Sequence, residues 1–130
     1  MALTLVLVLA AAMPLAPAQA SADDAADSLR QSLMGRSLVM RGELGGQRIQ
    51  LAIEPKNNED GLHGRYFVFG ESTEILLAGE VDGDDLLMEE SRNGRDVSGQ
   101  WEGHRQGTAI VGTWSSPDGS VTRPFSLQLP

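Results

Sequence analysis

The residues that could perform chemistry are few in this sequence, and two of them stand near the ends of predicted strands. Glu90 follows Leu86 and Met88 in a two-residue alternation, which predicts that its carboxylate points into the protein. Arg123 has the same phase as the apolar residues of the last predicted strand. A carboxylate and a guanidinium at one end of a closed sheet would orient a polar ligand head group or pair with each other. The alternative is that both side chains turn to solvent where their strands end.

Three aromatic residues stand two positions after a glycine. The triplets are Gly64-Arg65-Tyr66, Gly99-Gln100-Trp101 and Gly112-Thr113-Trp114. We expect these glycines, together with Gly42 and Gly79, to face the interior. Either they let strands coil sharply beside a ring, or their missing side chains leave room for a ligand. Under the first explanation the aromatic side chains fill the core of the barrel. Under the second, some of them belong to a binding site.

The predicted strand directions separate the two tryptophans. They place Trp101 near the end of the sheet that carries the N-terminal helix, and Trp114 near the opposite end. The predicted ligand-binding residues, all expected at the Trp114 end, are Tyr66, Glu90, Trp114 and Arg123.

Metal sites and catalytic centres have little support in the sequence. His63 and His104 are the only histidines, and neither has further ligands at a zinc-site spacing. The acidic hairpin that contains Asp82-Gly83-Asp84 lacks the spacing of a calcium loop, so we interpret it as a structural turn. No G-x-S-x-G nucleophile motif occurs. We therefore expect no metal, no cofactor and no enzymatic activity, with hydrolysis by paired acids as an open alternative.

The elements that must position these residues are strands. After Met34 the apolar residues alternate with a period of two, and turns such as Gly45-Gly46 and Asn93-Gly94 interrupt the alternation. We predict an all-β fold, an eight-stranded antiparallel up-and-down (meander) barrel that forms a single domain over residues 36–130. The predicted strands span residues 37–44, 48–53, 62–69, 73–81, 85–91, 96–103, 108–114 and 120–129. The segment 104–107 is predicted as a turn.

The N-terminal residues predict export. An apolar run from Met1 to Met13 is too short to cross a bilayer, and Ala18-Gln19-Ala20 is typical of a cleavage site. We expect a signal peptide over residues 1–20, cleaved after Ala20. Residues 21–35 then predict a short helix that Ser21 caps and that Gly35 ends in the left-handed conformation.

Charge and cysteine content restrict the partners. The 130-residue chain has a net charge of −8, which disfavours nucleic acid and anionic membrane surfaces and favours a basic partner. It has no cysteine, so the domain has no disulfide and no lipid anchor attached through a thiol. We expect a soluble exported protein, periplasmic or secreted, without membrane anchoring.

The arrangement resembles the lipocalin-like (calycin) β-barrels, in which a G-x-W strand lies beside an N-terminal helix. Here the G-x-aromatic copies fall on the third, sixth and seventh predicted strands. The wider pattern of G-x-Y, I-x-L-x-G, G-x-W-x-x-P-D-G and P-F-x-L also resembles small exported bacterial domains of unknown function. The resemblance covers the architecture of most of the mature chain, and the expectation of a ligand at one mouth comes from the inward glycines together with Tyr66, Glu90, Trp114 and Arg123.

Two functions from different classes follow from these observations. The first is a non-enzymatic exported binding module for an unknown small molecule. The second is an acidic inhibitor or envelope interaction domain that acts on a basic protein such as a lysozyme. Hydrolytic activity that depended on Glu90 would indicate an enzyme instead.

Overall fold

Eight antiparallel strands close into a barrel in the computed structural model, which describes residues 28–56 and 61–130. The strands are β1 (Leu38–Leu44), β2 (Gln47–Pro55), β3 (Gly61–Val68), β4 (Ile75–Asp82), β5 (Asp85–Ser91), β6 (Val97–Gln106), β7 (Ala109–Ser115) and β8 (Thr122–Gln128). Each strand pairs with the next, and β8 pairs back onto β1. The predicted all-β meander barrel is confirmed. It is compatible with a lipocalin-like architecture.

The strand bounds agree with the prediction to within two residues, except in β6. That strand continues to Gln106, so His104 lies on a strand and the predicted turn over 104–107 is wrong. The two-residue connection Gly107-Thr108 joins β6 to β7, and Gly107 adopts a φ of 65°, which favours glycine.

The short connection changes the register of the β6–β7 hairpin. Trp101 and Trp114 become direct cross-strand partners. The prediction that the two tryptophans occupy opposite ends is therefore wrong. Because register in a hairpin follows from the length of its turn, a turn predicted too long displaces every pair along both strands.

Trp101 fills the centre of the barrel. Its side chain is fully buried, and its ring lies 5.1 Å from that of Tyr66 and 4.9 Å from that of Phe125, measured between centroids. Inward side chains of the strands, such as Ile49, Leu51 and Ile110, complete a packed interior. The middle of the barrel is thus core, and an opening for a ligand has to lie at an end.

Four of the five inward glycines let neighbouring strands approach closely. A Cβ atom at any of these positions would overlap a carbonyl oxygen of the adjacent strand. The glycines and the residues that carry those oxygens are Gly42 with Ser126, Gly64 with Ala52, Gly79 with Leu87, and Gly112 with Glu102. This geometry supports the coiling explanation for these four positions, because none of them opens onto empty space.

A short helix, α1 (Leu29–Met34), covers one end of the barrel. Leu29 and Leu33 are fully buried, and the helix contacts β2 and β4. We call this the helix end. The other end carries the turns between β1 and β2, β3 and β4, β5 and β6, and β7 and β8, and we call it the open end. Within the described residues, no helix is long and apolar enough to cross a bilayer.

The start of α1 and the conformation of Gly35 differ from the prediction, whereas the helix ends before Gly35 as predicted. Ser28 caps the helix, since its hydroxyl accepts a hydrogen bond from the Gln31 amide at 3.4 Å, and α1 therefore begins at Leu29. Gly35, the residue after the helix, has a φ of −85° and is right-handed. The predicted left-handed Gly35 is wrong. The proposed signal peptide (1–20) and the cap at Ser21 lie outside the described residues.

The turn at the helix end holds α1 in place. The Asp84 carboxylate accepts a hydrogen bond from the Leu29 amide at 2.9 Å, and the Arg30 amide donates to the Gly83 carbonyl at the same distance. Asp84 Oδ1 also lies 3.4 Å from Arg105 Nε. The acidic hairpin therefore contributes to structure outside its own turn, because it also contacts α1 and Arg105.

Candidate functional site

All four residues predicted to bind a ligand lie at the open end of the barrel. Tyr66, Glu90 and Trp114 stand within two residues of the last residues of β3, β5 and β7, and Arg123 is the second residue of β8. Successive strands of a meander run in opposite directions, so the ends of odd-numbered strands and the start of β8 share one end. Strand order alone is therefore enough to predict that these four residues share one end of the barrel.

The Glu90 carboxylate is the centre of this group. Glu90 is only 2% exposed, so the alternation of inward and outward side chains along β5 continues to the end of the strand. Trp114 Nε1 donates a hydrogen bond to Glu90 Oε1 at 2.9 Å, and the Tyr66 hydroxyl donates a short one to Oε2. We call Tyr66, Glu90 and Trp114 the Glu90 triad. Each carboxylate oxygen thus accepts one hydrogen bond from a neutral donor and retains a lone pair for another.

Gly99 makes room for the triad. It is the register partner of Glu90 on β6. A Cβ atom here would overlap Trp114 Nε1 and would lie 2.6 Å from Glu90 Oε1. The other four inward glycines face the backbone of a neighbouring strand, whereas Gly99 faces side chains. Because Gly99 has no Cβ atom, Trp114 and Glu90 have room to form their hydrogen bond.

The surroundings hold the Tyr66 hydroxyl in its protonated form. Burial is the largest cause that raises the pKa of Tyr66 far above its usual range, and the hydrogen bond and negative charge of Glu90 raise it further. Arg92 acts in the opposite direction, more weakly. Tyr66 is therefore a stable hydrogen-bond donor to Glu90 at any physiological pH.

Arg123 lies over Trp114 rather than beside Glu90. Its guanidinium carbon is 5.5 Å from the centroid of the Trp114 ring, a cation–π geometry. Within the described residues, no carboxylate lies within 4 Å of Arg123 and no cationic side chain lies that close to Glu90. The predicted alternative of a direct Glu90–Arg123 ion pair is thus not present in the structure.

These side chains line a pocket of about 310 Å³ at the open end. This is near the lower limit of about 300 Å³ for small-molecule sites. The lining consists of the triad, Arg123, and a further set that the sequence analysis did not select: Leu44, Gln47, Val68, Glu71, Arg92 and Ser98. The pocket therefore combines apolar walls with charges of both signs.

Ser98 is the least expected member of this lining. The register shifts between Glu90 and Ser91, where Glu90 pairs with Gly99 but Ser91 pairs with Val97, so Ser98 is the extra residue of a β-bulge. The bulge reverses the alternation, and Val97, which stands two residues before the inward Gly99, is 40% exposed. Ser98 Oγ is buried and has no hydrogen-bond partner in the part of the chain that the structure describes.

The residues considered for metal binding do not assemble into a site. His63 pairs with Glu54 at 3.4 Å on the barrel exterior, and His104 lies on β6. Over residues 28–56 and 61–130, no three His, Asp or Glu side chains are grouped so as to hold a metal ion.

A second surface lies on the outside of β4, β5 and β6. Glu80, Leu87 and Glu102 are in register across the three strands, and Asp82 pairs with Asp85 beside them. All are exposed, and Leu87 retains 47% of its accessible surface. We call these residues the outer acidic face. Two shallow depressions of about 370 and 450 Å³ adjoin it.

Comparisons with known proteins give no assignment. No protein-family model matches the chain, and no curated protein and no solved structure matches it significantly.

Proposed function

We propose that this protein is a non-enzymatic binding module, exported from the cell, that holds a small polar molecule in its open-end pocket. The observation that carries the proposal is the Glu90 carboxylate, which is 2% exposed and, among residues 28–56 and 61–130, is bonded only to the neutral donors of Tyr66 and Trp114. Export is supported by the predicted signal peptide over residues 1–20.

A buried carboxylate with unused acceptor capacity is costly for folding alone. Ionised groups in the interior are normally paired with a cation or saturated with hydrogen bonds, because their lost hydration costs several kcal/mol. Ser98 Oγ, on the same lining, is buried and also unsatisfied among the described residues. A ligand that donates to Glu90 and bonds Ser98 would complete both groups.

The architecture is suited to this use. An eight-stranded barrel has an interior just wide enough for packed side chains or for one small ligand. Here Trp101 fills the centre, and the pocket lies above it at the open end. The β-bulge at Ser98 is a device found at barrel rims and next to functional sites, where it redirects a side chain. These features favour a mouth site over a deep cavity.

Native mass spectrometry of the protein purified from its own host tests the proposal. We expect a retained small molecule in the natural protein and its loss in Glu90→Gln. Glu43→Gln is the matched control, because Glu43 is exposed on β1 and lies outside the pocket. NMR adds a second readout, since the Trp114 indole resonance should change on binding while that of the core residue Trp101 should change less. A natural protein that retains no ligand and shows no change at Trp114 with any metabolite would overturn the proposal.

A second candidate function is an acidic domain that binds a basic protein such as a lysozyme. The observation that favours it is the outer acidic face, where Glu80 and Glu102 flank the exposed Leu87 and Asp82 faces Asp85 directly. Like charges placed opposite each other on a sheet destabilise it, so a positively charged partner would relieve their repulsion.

Inhibition of a lysozyme at low and moderate salt tests this second function. We expect inhibition that weakens as salt rises, because salt screens exposed charges, and that is reduced in the double variant Glu80→Gln/Glu102→Gln. Glu43→Gln is again the control. Absence of inhibition at both salt concentrations would contradict this function and would leave the pocket proposal unaffected.

A further inference from the structure

We infer that the ligand of the open-end pocket is a small zwitterion of the α-amino acid type, whose ammonium group binds Glu90 and whose carboxylate binds Arg92 and Arg123. This inference rests on the proposed function, because it names the chemical class of the molecule bound at that site. Charge and burial are distributed unevenly over the pocket lining.

The negative charge lies at the base of the pocket. Glu90 is 2% exposed, and its two neighbours, Tyr66 and Trp114, donate hydrogen bonds without supplying positive charge. No cationic side chain among the described residues lies within 4 Å of its oxygens. Hydrogen bonds in which the donor or the acceptor is ionised are roughly twice as strong as neutral ones, and an ammonium donor adds the direct attraction of opposite charges, which a neutral donor does not supply. An ammonium group is therefore the donor that compensates this carboxylate best.

The rim carries the positive charge of two arginines, beside the exposed carboxylate of Glu71. Arg92 and Arg123 are both exposed and both line the pocket. Neither has a carboxylate within 4 Å among residues 28–56 and 61–130. Arg123 is held over the Trp114 ring, which fixes its position while leaving its N–H groups available. Planar guanidinium groups of this kind bind carboxylates with two parallel hydrogen bonds.

The remaining features restrict the size and the rest of the molecule. About 310 Å³ accommodates one small molecule. Leu44 and Val68 supply apolar walls for an aliphatic or aromatic side chain, and the same lining includes Ser98, whose hydroxyl has no partner among the described residues. A neutral sugar would leave the two arginines uncompensated, and a simple carboxylic acid would leave Glu90 uncompensated.

The experiment is an NMR titration of the natural protein that follows the Trp114 indole resonance. The probes are the standard L-α-amino acids, glucose and N-acetylglucosamine. The amino acid that binds most tightly is then compared with its analogue without the amino group and with its analogue without the carboxylate. We expect each analogue to bind at least about tenfold more weakly than the amino acid, because each loses one charge-assisted interaction.

Two variants assign the two ends of the ligand. Glu90→Gln should abolish the preference for the amino acid over the analogue without an amino group. Arg123→Gln should abolish the preference over the analogue without a carboxylate. Arg123 is exposed, so this second variant tests the inference even if Glu90→Gln fails to fold. Glu43→Gln and Arg95→Gln are the matched controls, since both residues are exposed and outside the lining.

The outcomes separate the inference from the proposed function. Binding of a sugar without binding of any amino acid would overturn the zwitterion and leave the pocket as a binding site. Equal affinity for the amino acid and both analogues would overturn it in the same way. No change at Trp114 with any probe would overturn the zwitterion, and the retained-ligand measurement would then decide the proposed function separately.

Discussion

Trp101 and Trp114 are direct partners in the register of β6 and β7, yet their indole nitrogens lie in opposite environments. Trp101 is fully buried against Tyr66 and Phe125, and its Nε1 has no hydrogen-bond partner among the described residues. Trp114 is only partly buried, and its Nε1 donates to the buried Glu90 carboxylate at 2.9 Å. The boundary between packed core and polar pocket therefore runs between two neighbouring side chains.

The Trp114 donor should contribute measurably to stability. Trp114→Phe keeps an aromatic ring but removes the N–H group, which leaves one oxygen of a buried carboxylate without its donor. We expect the free energy of unfolding to fall by about 1–3 kcal/mol in urea denaturation. In a Glu90→Gln background the same substitution should cost less, since the charged acceptor is gone. An equal loss in both backgrounds would show that ring packing, and not the hydrogen bond, accounts for the effect.

Gly99 and Gly112 should respond differently to the same substitution. Gly99→Ala brings a methyl group against the side chains of Trp114 and Glu90, which can shift at a cost of about 1–3 kcal/mol. Gly112→Ala brings it against the backbone of Glu102 and Gly103, which cannot shift without breaking the sheet. We expect Gly112→Ala to be the more destabilising variant and Gly99→Ala alone to remain folded with an altered Trp114 resonance. The reverse order of stability would contradict these assignments.

Tyr66 should resist ionisation while the protein is folded. It is the only tyrosine of the chain, so the absorbance of tyrosinate reports on this residue alone. Its pKa in the folded protein is raised by burial and by Glu90, whereas an unfolded tyrosine titrates near pH ~10. The stabilisation from the neutral hydroxyl is therefore fully present below pH ~10 and is lost as the pH rises above that value.

A spectrophotometric titration checks the Tyr66 prediction. We expect little tyrosinate to form near pH 10 in the folded protein, and its appearance should coincide with unfolding measured by circular dichroism. Glu90→Gln should lower the pKa of Tyr66 only partly, because burial is the larger cause. Ordinary titration near pH 10 in a folded protein would show that the hydroxyl is not held as described.

Asp84 should stabilise α1 from the helix end. Asp84→Ala removes the acceptor of the Leu29 amide, and we expect a loss of about 1–2 kcal/mol together with faster hydrogen exchange of that amide. Asp84→Asn keeps an acceptor oxygen and should restore much of the stability. Asp85→Ala, at the first residue of β5 next to the turn, is the matched control, because no hydrogen bond or ion pair of Asp85 with α1 is present among the described residues, and it should have little effect. Equal effects of Asp84→Ala and Asp85→Ala would argue against the docking contact.

The sequence by itself determined the barrel and the end at which its polar residues gather. Two-residue alternation fixes which side chains face the core, and short turns force successive strands to run in opposite directions. Strand order alone therefore places Tyr66, Glu90, Trp114 and Arg123 at one mouth. These features depend on local patterns, which are visible in a sequence without knowledge of contacts.

Only the tertiary structure decided the register between neighbouring strands and which side chains of a strand face inward around a bulge. The Gly107-Thr108 connection pairs Trp101 with Trp114, and the bulge at Ser98 turns Val97 outward and brings a serine hydroxyl into the pocket. Both depend on how neighbouring strands align through their hydrogen bonds, and a shift of one residue reverses every side chain beyond it. The interaction of Arg123 with Trp114 rather than Glu90 was decided in the same way, because it depends on which atoms the closed barrel brings within reach.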